Sequence, residues 1–456
     1  MSTLVSAPAT SEAAPVSLHP KNPHYLLFRG RPTVLIGSTE HYGAVLNQDF
    51  DYHTYLKELE KSGLNLTRTF SGAYMEDVAS FGITHNTLAP LSGRLLCPWA
   101  RSSEPGYAGG GAKLDLDAWD PAYFERLKDF VSEASKRGVI VEYVFFCPFY
   151  EDGMWDLSPM KSSNNVNGVG DLARTDVYTL KDAKLTAVQD AMVRKVVEEL
   201  QGFDNLYYEI CNEPYFGGVT LEWQRHISQV IADAEAPLKQ RHLIAQNIAN
   251  NTAKIEDPDP RVSIFNFHYA RPPEAVETNY ALNRVLADDE TGFDGSADRP
   301  YRQEAWEFLM AGGGIYDNLD YSFSVGHEKG DGEVKAPGGG GPALRKQLKV
   351  LRDFLRALPL LKMAPDTTLV RKINTEKATA RALSEPGKIY AIYVKGDSQA
   401  SLTVELAPGT YESEWLNTKT GKIDKQETFS TDKGWKRLVS PAYLEDIVVR
   451  VKRTGD

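Results

Sequence analysis

Two acidic stretches carry the chemistry open to this chain of 456 residues. Leu206-Tyr207-Tyr208-Glu209-Ile210-Cys211 has strand character and runs into Asn212-Glu213-Pro214. Proline cannot donate to a sheet, so the strand stops there and leaves Asn212 and Glu213 at its end. Further along, Val285-Leu286-Ala287 leads into Asp288-Asp289-Glu290-Thr291-Gly292. Two carboxylates facing each other at about 5–5.5 Å can cleave a glycosidic acetal with retention. One attacks the anomeric carbon; the other protonates the leaving oxygen and later deprotonates water. The pair works only when its surroundings push the two pKa values apart. Arg68, near the end of an earlier strand, is the cation that would keep the attacking carboxylate ionised. Each stretch also has a plainer reading: Glu213 as a loop carboxylate capping the next helix, and Asp288–Glu290 as a solvated acidic loop.

Elements that would position these groups recur from about residue 33 to 360. Eight apolar runs have strand length: Thr33–Gly37, Leu64–Phe70, Val139–Phe146, Leu206–Cys211, Leu243–Ile248, Ser263–Phe267, Arg284–Ala287 and Gly314–Leu319. Amphipathic helices intervene. Tyr52–Ser62 carries Leu56 and Leu59 on one face, and Pro121–Arg137 carries Leu127, Phe130 and Val131. Leu185–Leu200 places Val188, Met192, Val196 and Leu200 at helical spacing. This rhythm predicts an α/β fold, a (β/α)8 barrel enlarged by insertions. A doubly wound sheet would place a Gly-rich phosphate turn after the first strand, where Gly37-Ser38-Thr39-Glu40-His41-Tyr42 stands instead. Strands four and seven lie across a barrel mouth from each other, so Glu213 and a carboxylate of Asp288-Asp289-Glu290 are expected to converge. Long inserts at Ser71–Asp117, Pro148–Thr179 and Ser324–Pro342 fall on the C-terminal rim, where barrel sites are built.

The pattern changes after Pro365. Leu402–Leu406, Tyr411–Leu416 and Ile447–Val451 alternate or run apolar, with turns at Pro408-Gly409-Thr410 and Thr420-Gly421. The expected division is a disordered tail over 1–16, a barrel over 17–364 and a small antiparallel β-sandwich over 365–456. The Ala/Ser/Pro-rich opening MSTLVSAPATSEAAPVS has no positive charge ahead of its short apolar piece, unlike a secretory leader.

The ordered set Gly63-Leu64-Asn65-Leu66-Thr67-Arg68, Asn212-Glu213-Pro214 and Asp289-Glu290-Thr291-Gly292 resembles the clan A glycoside hydrolases, retaining (β/α)8 enzymes with cellulase-like members. The resemblance implies Glu213 as acid/base and Glu290 as nucleophile. It implies Asn212 as the partner of the substrate 2-hydroxyl, and Arg68 as the support of the nucleophile. A tyrosine on strand six near the nucleophile makes Tyr269 the expected residue there, with neighbouring His268 in reserve. Adjacent strand residues point to opposite faces, so one of the two is expected in the site unless the strand has already ended there. Clan members often end strand eight with a Trp beneath the sugar. This chain reads Ile315-Tyr316-Asp317-Asn318-Leu319-Asp320-Tyr321, leaving Tyr316 or Tyr321 for that place. The tail, through Tyr390-Ala391-Ile392-Tyr393-Val394, Gly409-Thr410-Tyr411, Trp415-Leu416-Asn417 and Thr418-Lys419-Thr420-Gly421, is similar to a β-domain appended to bacterial cellulase-like barrels and often labelled collagen-binding.

Glu40, His41 and Tyr42 after strand one suit a sugar whose hydroxyls need acceptors and whose ring needs stacking, or form a loop covering the barrel. Phe149-Tyr150-Glu151-Asp152 with Trp155 read the same way after strand three. The net charge of −11 and the lack of a basic run argue against a nucleic-acid partner or an anionic membrane surface. Cys97, Cys147 and Cys211 make neither a disulfide framework nor a zinc spacing. No metal and no cofactor are expected, a calcium ion at Asp288/Asp289 being the exception held open. The leading reading is a retaining β-glycosidase with a carbohydrate substrate, exo-acting on short oligosaccharides or aryl β-glycosides because bulky inserts would close the cleft. An endo-acting β-glucanase, a non-catalytic carbohydrate-binding barrel and a metal-dependent barrel hydrolase are the alternatives.

Overall fold

The computed structural model describes residues 14–239, 241–333 and 335–455. The expected tail falls mostly on residues 1–13, outside the described residues. Val16 is fully buried and donates its N–H to the Asp204 carbonyl.

Eight parallel strands form one sheet, curled into a near-closed barrel. They are β1 (Leu35–Ile36), β2 (Leu66–Phe70), β3 (Ile140–Phe146), β4 (Leu206–Cys211), β5 (Ile244–Asn250), β6 (Ile264–His268), β7 (Val285–Glu290) and β8 (Ile315–Tyr316). Neighbours pair in chain order from β2 to β8, and β8 returns to β1 with Ile315 opposite Leu35. Between β1 and β2 a side chain does the work of a ladder. Asn65 accepts the Ile36 N–H on Oδ1 at 2.8 Å, donates its own N–H to the Ile36 carbonyl, and donates Nδ2 to Val34 O. Six of the eight strands match the sequence-expected runs to within two residues at either end, and β8 stops at Tyr316, three residues short of the expected Leu319. The other exception is β7, which continues through all three carboxylates instead of ending before them.

Helices α1 (Tyr52–Ser62), α2 (Pro121–Lys136), α3 (Ala183–Leu200), α4 (Leu221–Ala234), α5 (Glu274–Asn279), α6 (Asp298–Met310) and α7 (Pro342–Arg356) surround the sheet. The first three start at Asp51, Asp120 and Asp182, whose carboxylates accept first-turn N–H groups. Gly63 closes α1 in the left-handed conformation at φ 73°. No helix separates β5 from β6; a loop from 251 to 263 crosses instead. A hairpin of strands Leu26–Phe28 and Arg31–Thr33, joined by Ser17–Leu18, covers the N-terminal mouth. There Val16, Leu26 and Phe28 pack with Leu35, Leu66, Ile140, Ile264 and Val285.

After α7 the chain forms antiparallel sheets. One has six strands, with Ile389–Lys395 and Asp446–Gly455 at its centre; the other has three, around Ser401–Glu405. Their interior holds Ile392, Val404, Tyr411, Trp415 and Val449. The outer face of the larger sheet meets α6, where Trp306 stacks on Tyr393 with ring centroids 5.5 Å apart. Arg302 of α6 pairs with Asp446 at 3.1 Å and Glu445 at 2.8 Å.

Candidate active site

Arg68 stands in the middle of β2 with its guanidinium inside the barrel, fully buried. A charge there is tolerated only when paired and hydrogen-bonded. Its partners come from three strands: Glu209 of β4, whose Oε2 it binds through Nε at 3.1 Å and also through Nη2, Glu290 Oε2 of β7 at 3.2 Å, and Glu142 Oε2 of β3 at 3.6 Å. Nη2 also donates to Asn212 Oδ1 at 2.9 Å, and the Tyr42 ring lies beneath the guanidinium, 4.7 Å away. The two sequence motifs at the ends of β4 and β7 are therefore tied to one cation. Below it, Glu142, Glu209 and Asp289 bring carboxylate oxygens within 4.8 Å of one another. Burial pushes Glu142 and Glu209 up to about 8 and Asp289 up to about 6, with the attraction of Arg68 working against it.

Glu213 and Glu290 meet above this layer. A carboxylate oxygen of each and a ring nitrogen of His268 lie within 4.8 Å of one another. His268 Nδ1 is 3.2 Å from Glu213 Oε1 and 3.5 Å from Glu290 Oε1. Tyr269 donates its hydroxyl to Glu290 Oε1 at 3.1 Å. His268, the last residue of β6, and Tyr269, the residue after it, thus both reach the site, the outcome expected where the strand has ended. A register shift between Phe267 and His268 breaks the β6–β7 ladder, and Tyr269 turns to φ 53°, so the two side chains share one side. Glu213 itself sits at φ 37°, a conformation few non-glycine residues adopt and one that collects at functional sites.

Tyr150 donates its hydroxyl to Glu213 Oε2 at 2.6 Å and accepts from Asn212 Nδ2 at 3.1 Å. The Tyr215 hydroxyl lies 3.1 Å from Glu213 Oε1 and 2.6 Å from Asn250 Oδ1. Burial raises the Glu213 pKa, but the His268, Tyr150 and Tyr215 hydrogen bonds and the His268 charge outweigh it and leave the carboxyl below its ordinary value. Burial pulls His268 down, and the charges of Glu290, Glu213 and Asp289 with the Glu213 hydrogen bond push it to about 9. With Glu213 lowered and His268 raised, the proton of this pair rests on His268. Glu213, His268 and Glu290 are also spaced to ligate a cation, although a ring nitrogen protonated at neutral pH must first lose its proton.

A cavity of about 370 Å³ opens over the two carboxylates, lined by His41, Tyr42, Glu76, Tyr150, Asn212, Tyr269 and others. His41 Nδ1 is buried without a hydrogen bond of good geometry among the described residues, and burial lowers the His41 pKa to about 4 against the pull of Glu290 and Asn86, so it offers a neutral ring to a ligand. Of the expected residues, Arg68 and His268 stand behind the carboxylates without lining the cavity, and Glu40 and Tyr316 turn away from the site. Glu40 turns back to accept the N–H groups of Gly43 at 2.9 Å and Ala44 at 3.1 Å, holding its own loop. Tyr316 is buried and donates to the Tyr301 carbonyl at 2.8 Å; Tyr321 instead touches the edge of the His41 ring. Asp288 packs outward towards Glu304 of α6, and its burial with that neighbour raises its pKa well above the ordinary value. Tyr215, Asn250 and Glu76 were not singled out from the sequence. Tyr215 follows Glu213 by two residues, which was a usable signal, whereas Glu76 lies inside a long insert without pattern.

No protein-family model matches the chain, nor does any curated protein sequence. Among solved structures, the fold is similar to a provisionally assigned glycoside hydrolase from Bacteroides vulgatus ATCC 8482 (TM-score 0.70, 13% identity, covering 97% of this chain and 83% of that one). It is also similar to a protein described as a glycoside hydrolase (0.65, 15%, 97% and 97%). A glycoside hydrolase family 5 protein from Bacteroides vulgatus ATCC 8482 gives 0.64 at 16% identity, covering 96% and 93%. At these identities the likeness is one of fold, a barrel followed by antiparallel sheets along nearly the whole chain.

Proposed function

We propose that this protein is a retaining β-glycosidase. The observation that carries the reading is the approach of Glu213 and Glu290 oxygens to within 4.8 Å across the barrel mouth. That spacing suits direct attack by one carboxylate; an inverting pair stands about 6.5–9.5 Å apart to admit a water. Glu290, gripped by Arg68 and the Tyr269 hydroxyl, attacks the anomeric carbon and forms a glycosyl ester as the glycosidic C–O bond breaks. Glu213 gives its proton to the leaving oxygen, then takes one from the water that cleaves the ester.

The acid step needs a proton on Glu213, and His268 Nδ1 holds one 3.2 Å away. A bound sugar expels water from the cleft, which disfavours an ion pair against its neutral form. The proton then passes from His268 to Glu213 as substrate arrives. Asn212, Tyr150, His41 and Glu76 offer donors and acceptors to sugar hydroxyls. A volume near 370 Å³ lies at the small end of ligand sites, favouring a single glycosyl unit with a short leaving group and exo action.

The test is Glu290→Gly assayed on aryl β-glucosides, galactosides and mannosides. Turnover is expected to vanish, and azide to restore it with a glycosyl azide of inverted configuration. Undiminished hydrolysis in the variant would remove Glu290 as nucleophile. Wild-type protein that binds the sugars without releasing them would favour the carbohydrate-binding reading, and activity abolished by a chelator and restored by a divalent ion the metal-dependent one.

A further inference from the structure

Three phenylalanines line the same cavity and face water: Phe81 is 41% exposed, Phe216 43% and Phe293 44%. Large apolar side chains gathered on one open patch mark a binding surface. They form a continuous frame. Phe81 meets Phe293 and Tyr150 edge to face, with centroids 6.1 and 5.8 Å apart at 88° and 87°. Phe216 meets Tyr150 at 5.7 Å and 63°, and Phe293 meets Tyr269 at 6.2 Å and 79°. Phe81 is held over the opening by a left-handed backbone, φ 54°. For a bulky residue this conformation is strained, and strain persists where the surrounding structure enforces it.

The chemistry of this rim differs from that of the floor. Hydroxyl-bearing and charged side chains surround the carboxylates, whereas a phenyl ring can neither donate to nor accept from a sugar hydroxyl. The side on which the rings lie matters as well. Phe216 follows Glu213 by three residues and packs on Tyr150, which holds Glu213 Oε2. Glu213 is the group that protonates the leaving oxygen, so Phe216 and Phe81 border the space the leaving group fills.

We propose that the cleft takes β-glycosides whose aglycone is a flat aromatic group, seated between Phe81 and Phe216 beside Glu213. This rests on the roles given to Glu213 and Glu290 above. Phe81 and Phe216 both pack on the Tyr150 ring, at 87° and 63°, and so present flat walls to which a planar group offers face or edge, the arrangements aromatic pairs prefer. A second sugar could stack a C–H face on these rings, but its hydroxyls would meet phenyl rings that offer them no donor or acceptor.

The experiment compares kcat/KM for 2-phenylethyl, octyl and methyl β-glycosides of glucose, galactose and mannose. The leaving alcohols are all unactivated, so the comparison reads contact with the aglycone and not leaving-group chemistry. With the sugar that is turned over, 2-phenylethyl is expected to exceed methyl by about tenfold or more. In Phe81→Ser and in Phe216→Ser the ratio is expected to fall towards one. The two variants sit on separate segments, so either carries the test if the other fails to fold. A wild-type ratio near one, or a ratio unmoved in the folded variants, would overturn the proposal. Octyl outperforming 2-phenylethyl would replace the aromatic group with an alkyl chain. If none of the glycosides is hydrolysed, the catalytic reading has failed, and calorimetry on the uncleavable thioglycosides decides this one separately. Binding of the S-phenylethyl compound about tenfold tighter than the S-methyl sustains it, and equal binding overturns it.

Discussion

His268 Nδ1 stands 3.2 Å from Glu213 Oε1 and 3.5 Å from Glu290 Oε1, so one imidazole is shared by two carboxylates from opposite sides of the barrel mouth. That sharing makes the two acids unequal. Glu213 has the histidine, two phenols and an asparagine within its reach through Tyr150, while Glu290 has the arginine and Tyr269.

The inequality predicts an effect that depends on the leaving group. Glu213→Ala is expected to slow hydrolysis of an alkyl glycoside by about 10²–10⁴, the usual worth of a positioned acid/base. Formation of the glycosyl-enzyme from a dinitrophenyl glycoside, which needs no proton, should be little affected. Pre-steady-state release of dinitrophenol checks this, and equal losses on both substrates would take the acid role from Glu213.

Arg68 balances Glu209 and Glu142 in a layer sealed from water, and Glu290 above it at the cavity floor. Arg68→Met should cost about 3–5 kcal/mol, as expected when one partner leaves a buried charge network. The loss should be smaller at pH 5 than at pH 8, because Glu142 and Glu209, raised to about 8, already hold their protons at pH 5 and ask for the cation only as they ionise. Urea unfolding at the two pH values measures the difference.

Burial pushes Glu142 and Glu209 from an ordinary 4.5 up to about 8, and Asp289 from 3.8 up to about 6. Carboxyls raised in this way bind more protons in the folded than in the unfolded chain. Their contribution is whole below the ordinary value and is lost as pH rises through the folded one. The charge network raises His268 from 6.5 to about 9, and its contribution is lost in the same direction. The melting temperature should therefore fall between pH 6 and pH 9, with each extra bound proton worth about 1.4 kcal/mol per pH unit. A melting temperature that climbs across this range would contradict the buried acid layer.

Gly338 presses the last rim insert against the turn that follows Glu290. A Cβ at this position would lie 1.8 Å from the Gly292 carbonyl oxygen and 2.6 Å from its carbon, backbone against backbone. Gly338→Ala should destabilise by about 1–3 kcal/mol, the usual penalty of overpacking. It should also lower kcat by shifting Glu290, whereas Gly341→Ala, with open space around it but a φ of 116°, should act on stability alone. Thermal unfolding and steady-state kinetics on the two variants separate these effects.

The eight strands were legible in the chain because each is a short apolar run bounded by turn residues, and their order alone puts β4 opposite β7. Asn212, Glu213 and Arg68 could be named for the same reason, each standing in a strand or at its end, whereas Glu290 was separated from Asp288 and Asp289 only by the resemblance to the clan. Side chains on loops were harder to place. Glu40 and Tyr316 have the right types at the right strand ends, yet one turns back onto its own loop and the other into a helix. Only the folded barrel decided that His268 and Tyr269 enter together, since the register shift beside them reflects the fit of two strands and has no signature in either. It also decided where the proton rests and which rings frame the opening. Both are set by distances between segments up to hundreds of residues apart, through electrostatics and packing that fall off within a few ångströms. Periodicity reports a residue's own element and the face it turns inward; what stands opposite that face is a property of the closed sheet.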